Sequence, residues 1–171
     1  MKALLLREAG VQPKVEDVET PELAAGHVRV RLAAAALNHR EIWIGAGQYP
    51  GLVLPATLGA DGAGTVSAVA DDADKMLIGQ AVVLYPGLHW GDDPRFPAAE
   101  YGLLGMPGPG TIAEEIVVPA ASVRPKPAHL DFAQAAALPL AGVTAWRGLV
   151  TKAALKPGER ILITGVGGGV A

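Results

Sequence analysis

A mainly β domain, followed by a helical stretch and the opening of an α/β unit, is the fold this sequence predicts. Three observations carry that expectation. Short apolar runs recur through the first two thirds, each bounded by glycine, proline or aspartate, which suits a small barrel or sandwich. Gly and Pro number 22 and 14, enough for many tight turns and too evenly spread for a disordered composition. After Pro127 the pattern turns helical, and near its end an apolar run passes directly into a glycine-rich segment.

The elements follow in order. Ala3 to Arg7 is one short apolar strand, and His27-Val28-Arg29-Val30-Arg31-Leu32 alternates polar and apolar as a half-buried strand should. Asn38 to Ile44 reads as one or two helical turns inserted in the β region. Ala63 to Ala70, Gln80 to Tyr85 and Thr111 to Val118 complete the strands. Between them, Pro86 to Gly110 is rich in proline and glycine and reads as a long surface loop. Asp131 is placed as an N-cap for a helix through Ala137, and Pro139 as a first-turn proline for a second helix, Leu140 to about Lys152. Arg160 to Thr164 is the kind of compact apolar strand that a parallel sheet buries on both faces. Gly165-Val166-Gly167-Gly168-Gly169-Val170 then resembles the turn of a βα phosphate-binding unit, whose glycines let the backbone approach a pyrophosphate.

Composition removes several function classes. Lys and Arg total 14 against 17 Asp and Glu, a net charge of −3, and no basic stripe is present; nucleic acid and anionic membranes are not the expected partners. No apolar run is long enough to span a bilayer, and Met1 to Leu6 is too short for a signal-peptide core, so a cytoplasmic location is the default. There are no cysteines, which excludes disulfides and thiolate-bound zinc. His27, His39, His89 and His129 include no closely spaced helical pair, and no metal site is expected.

Several segments together resemble the medium-chain dehydrogenase/reductase superfamily, which includes zinc alcohol dehydrogenases and quinone oxidoreductases. They are Ala36-Leu-Asn-His-Arg-Glu-Ile-Trp43, Leu58-Gly-Ala-Asp-Gly-Ala-Gly-Thr-Val66, Leu138 to Trp146 and Leu155 to Ala171. The resemblance implies a GroES-like β-barrel domain over residues 1–127. Linker helices and the first strand and glycine loop of a Rossmann cofactor domain would follow over 128–171. The chain is then expected to be the N-terminal portion of a longer oxidoreductase, with little activity alone. The implied cofactor is NAD(P)H, with NADPH the expected form, although residues that read the ribose 2′ position would lie past Ala171. The implied substrate is a small carbonyl, enone or quinone, and the implied assembly of the whole protein is a homodimer or homotetramer.

The departures from zinc-dependent members are specific. Asn38 stands where they place a cysteine, Gly59-Ala60-Asp61 replaces their Gly-His-Glu, and Leu140 lies near their third ligand. The resemblance is therefore nearest to the zinc-free, quinone-oxidoreductase-like branch. It implies catalytic roles for Asn38 and Arg40 and cofactor contacts from His39, Thr144, Gly165, Gly167, Gly168, Gly169 and Val170. Each has a plainer alternative. Asn38 suits a helix N-cap, a role compatible with ligand contact. Arg40, whose fork geometry suits a phosphate, could equally be an exposed surface arginine. Thr144 could bond only its own helix backbone. Asp61 reads as a turn residue and Trp43 and Tyr49 as apolar packing, while His89 and Trp90 sit on the long loop within reach of a substrate.

Two other readings remain beside this one. A non-catalytic GroES-like binding module would show no saturable dinucleotide binding, and a metal-dependent alcohol dehydrogenase would carry stoichiometric zinc. The isolated chain is expected to associate, because Ile161 to Ile163 would have no neighbouring strands to cover it.

Overall fold

The computed structural model describes residues 1–171, the side chain of Ala73 excepted. Ten strands form its frame, in an antiparallel arrangement. They are β1 (Lys2–Leu6), β2 (Lys14–Asp17), β3 (His27–Ala36), β4 (Ala56–Thr57), β5 (Asp61–Val69), β6 (Ala81–Leu84), β7 (Gly87–Leu88), β8 (Gly102–Leu103), β9 (Glu115–Pro119) and β10 (Val123–Pro125). The main sheet has the order β10-β6-β5-β3-β9; a smaller one has β2-β1-β4, and β7 and β8 pair as a short hairpin. The mainly β class expected from the sequence is the class observed.

Strand β3 organises the sheet because it pairs with β5 on one side and β9 on the other. Its alternation sends Val28 and Val30 into the core, where they meet Val66, Val82, Leu84, Ile116 and Val118. Each such side chain contributes about 1.5–3 kcal/mol when fully buried. Register shifts at Arg29/Val30 and at Leu32/Ala34 bend the β3–β5 ribbon, as extra residues in one strand do. At Gly64 a side chain is impossible without movement: an added Cβ would run into the backbone carbonyl of Arg31 on β3.

Three α-helices decorate this frame, beside short 3-10 turns at Asp72–Leu77 and Ala120–Ser122. α1 (His39–Gly45) follows β3 directly, and its Ile44 joins Leu6, Leu58 and Met106 in a second apolar cluster. α2 (Phe132–Ala136) opens with a capping box. The Asp131 carboxylate accepts from the N–H of Gln134 at 2.7 Å, and the Gln134 side chain accepts from the N–H of Asp131 at 3.1 Å. Its buried Ala135 and Ala136 pack on Ala63, and their small size lets the helix lie close to the sheet. α3 (Pro139–Trp146) carries proline in its first turn and widens into a π-helical turn over Arg147–Lys152.

Three sequence expectations need correction. Arg160 to Thr164 forms no strand; it is exposed, Leu162 to 88%, because no other strand offers it a ladder of hydrogen bonds. The 86–110 segment is only partly a surface loop: it contains the β7–β8 hairpin, and Leu88, Leu104 and Met106 are buried. The strand expected from Thr111 begins at Glu115, since the Thr111 hydroxyl and N–H are spent on the backbone carbonyls of Asp61 and Gly59. Among the described residues, no helix is long and apolar enough to cross a membrane.

Candidate functional site

The candidate site is built where β3 ends, β5 begins and α3 starts. Ala36 pairs with Asp61 at the last rung of the β3–β5 ladder, which brings the chain just after β3 beside the start of β5. Asn38 is the N-cap of α1, with extended backbone, and its own N–H donates to the Glu41 carboxylate at 2.7 Å. The Asn38 side-chain amide donates to Asp61 Oδ2 at 2.8 Å. The other oxygen of Asp61 accepts from the backbone N–H of Leu140, in the first turn of α3, at 2.7 Å.

Asp61 is therefore not the turn residue expected from its glycine-rich surroundings. It is the first residue of β5 and is 1% exposed. Burial pushes its carboxyl above the usual carboxylate range, against the opposing pull of the Asn38 and Leu140 hydrogen bonds and of Arg40. Sequence reasoning passed over this residue. The available signal was a lone charge abutting an otherwise apolar run.

Arg40 is buried, which overturns the exposed-surface alternative. It donates to the carbonyls of Leu104 and Met106, at 2.5 and 3.4 Å, and lies over the Tyr49 ring with its guanidinium carbon 4.9 Å from the centroid. Its side chain thus braces the segment after β8 through Nη1 and Nη2, while its Nε is buried without a hydrogen-bond partner. Neighbouring Glu41 is also buried, and burial raises its carboxyl above the usual range. Tyr49 packs as expected, but Trp43 is exposed on the face of α1, its ring 5.7 Å from that of His39. His39 itself is exposed.

Beyond Leu140 opens a cavity of about 620 Å³ between the β6–β8 region and α3. Tyr85, Trp90, Tyr101 and Trp146 give it aromatic walls, and Arg147 closes one side. The Arg147 guanidinium lies 4.3 Å from the Trp90 ring centroid and donates to the carbonyls of Pro94 and Arg95. Trp90 thus lines the cavity, whereas His89 is exposed and outside its lining. Thr144 borders this cavity and also a second one, of about 500 Å³, that it shares with Gly165, Gly168, Gly169 and Val170. Gly167 is outside that lining. The Thr144 hydroxyl bonds the Leu140 carbonyl at 2.7 Å, as its plainer alternative required. Of the expected site residues, Thr144 is therefore gathered with Gly165, Gly168, Gly169 and Val170, and Asn38 is joined to Asp61, which was not expected in the site, while His39 stands apart.

These donors do not suit a zinc ion. Among the described residues, no three His, Cys, Asp or Glu side chains come together as a ligand set. At the positions the superfamily resemblance would assign to ligands, the Asn38 side chain and the Leu140 N–H both donate to Asp61, and Ala60 has no side-chain ligand atom.

A family model described as the alcohol dehydrogenase GroES-like domain matches residues 24–128. The chain belongs to this family. The zinc-type alcohol dehydrogenase-like protein YogA of Leptosphaeria maculans is 39% identical over 164 residues, covering 90% of this chain and 46% of YogA. The crotonyl-CoA carboxylase/reductase of Cereibacter sphaeroides is 32% identical, covering 92% of this chain and 40% of that protein. Among solved structures, an NAD-dependent alcohol dehydrogenase superposes with a TM-score of 0.83 at 40% identity, covering 93% of this chain and 49% of the other. The GroES-like chain thus spans about half the length of the relatives it matches.

Proposed function

We propose that this chain is the substrate-side portion of an NAD(P)H-dependent reductase that acts on an enone, quinone or related carbonyl without zinc. The observation that carries the reading is the hydrogen-bonded trio of Asn38, Asp61 and Leu140, of which Leu140 lines an aromatic-walled cavity, in a protein of the GroES-like alcohol dehydrogenase family. The relatives' names bracket the chemistry, from alcohol dehydrogenase to a reductase of the conjugated thioester crotonyl-CoA.

When bound, the dinucleotide supplies a hydride. This chain's residues supply position and polarity. Tyr85, Trp90 and Tyr101 offer flat apolar walls to a conjugated acceptor and exclude water from it. Asn38, fixed by Asp61, is the proposed group that meets the acceptor oxygen, where a preset dipole stabilises developing negative charge. Thr144, Gly165, Gly168, Gly169 and Val170 line one cavity and, with Gly167, are the proposed cofactor contacts. NADPH is the proposed form, and a homodimer or homotetramer the proposed assembly.

The test is enone- or quinone-dependent oxidation of NADPH and NADH by this chain joined to, or mixed with, the cofactor-domain portion its relatives carry, with zinc content measured in the same sample. Turnover without stoichiometric zinc supports the reading. The zinc-type label of two relatives favours the metal-dependent alternative, and stoichiometric zinc together with activity lost to a chelator would establish it. Absence of saturable dinucleotide binding would favour a non-catalytic binding module.

A further inference from the structure

We infer that Asp61 is a positioning residue whose single carboxylate fastens the Asn38 side chain and the first turn of α3 to the start of β5, so that the two groups move as one unit. The inference rests on the proposed function only in treating Asn38 and α3 as ligand-facing.

Two independent needs meet at this carboxylate. Helix α3 lacks a side-chain cap: Leu138 occupies the N-cap and offers no acceptor. The N–H of Leu140, one of the helix's first amides, has no intrahelical partner, and Asp61 supplies one from 79 residues away. The Asn38 amide, 23 residues away, has its nitrogen against the other carboxylate oxygen. An ionised carboxylate only accepts, so the amide nitrogen must face Asp61, and rotating the amide by half a turn would set oxygen against oxygen. Asp61 thus determines which edge of Asn38 is left for a ligand. It also ties that edge to the helix carrying Thr144. The charged groups bearing on Asp61 are Arg40 and Glu41, both on α1; β3 meets it through Ala36 and α3 through Leu140.

Residue-resolved amide hydrogen exchange on this chain tests the inference without cofactor or turnover, so its failure is separable from failure of the functional reading. In Asp61→Ala, the protection factor of Leu140 is expected to fall at least tenfold while those of Val30 and Val66 in the barrel core stay within threefold. The exchanged pair N38D/D61N keeps an acceptor for Leu140 and a donor–acceptor match between positions 38 and 61. It should restore Leu140 protection to within threefold of the unaltered protein. If Asp61→Ala does not fold, the exchanged pair still decides. Leu140 protection that ignores Asp61→Ala, or a folded exchanged pair that fails to restore it, overturns the inference.

Discussion

The Arg40 guanidinium crosses 64 positions of sequence to donate to the carbonyl of Leu104, which joins α1 to the chain just after β8. Among the described residues no other side chain donates to that carbonyl, and both ends of the contact are buried. Removing it leaves acceptors without a donor and Glu41 without its nearest positive charge, 3.8 Å away. Arg40→Ala is therefore expected to destabilise the fold by about 2–4 kcal/mol, in line with loss of one partner from a buried ionic contact. Equilibrium urea denaturation measures it. A loss under about 0.5 kcal/mol would mean that Arg40 does not brace this segment.

Glu41 predicts a pH dependence of definite sign. Burial raises its carboxyl above the ordinary value, so the folded state holds the proton more tightly than the unfolded chain. Its contribution to stability is fully present below the unfolded value and is lost as pH rises through the folded one. Asp61 acts in the same direction. The urea midpoint should fall across that window in the native sequence. Glu41→Gln, which retains an acceptor for the Asn38 N–H, should flatten the fall but leave the part due to Asp61. An unchanged slope in the variant would assign the effect elsewhere.

Gly64 tests the closeness of β3 and β5. Gly64→Ala places a methyl group against the Arg31 backbone, which cannot swing aside as a side chain can. We expect a loss of about 1–3 kcal/mol, the usual range for overpacking. Gly142→Ala, in α3 with open space at its Cβ, is the control and should not destabilise. Thermal unfolding of the two variants side by side gives the contrast.

Ile161, Leu162 and Ile163 present exposed apolar surface with no ladder partner. Sedimentation velocity of the isolated chain should show concentration-dependent association, and Leu162→Lys should reduce it. A monodisperse monomer at all concentrations, in both proteins, would contradict this.

Much of the barrel was legible because its signals are local. The alternation of His27 to Leu32, the cap at Asp131 and the first-turn Pro139 each act within one element, and each appears where expected. The site was legible only in part. Asn38 as an N-cap is a short-range property, but the burial of Arg40 and the pairing of Asp61 with Leu140 depend on segments 64 and 79 positions away, which no window of sequence contains. The segment 160–164 failed for the converse reason: its apolar composition is a strand signal, yet a strand exists only with a neighbour.

The excursion from Gly87 to Leu103 is held at its base by the β7–β8 pair and near its tip by Arg147 and Lys152, which donate to the carbonyls of Pro94 and Arg95, while Arg95, Phe96 and Pro97 are exposed. Lengthening such an excursion costs little, since closure entropy grows only slowly with loop length. A duplicated or inserted codon there would reshape the cavity wall that Trp90 supplies without disturbing Asn38 and Asp61. Selection could therefore retune which molecules this scaffold accepts while its polar trio is inherited intact.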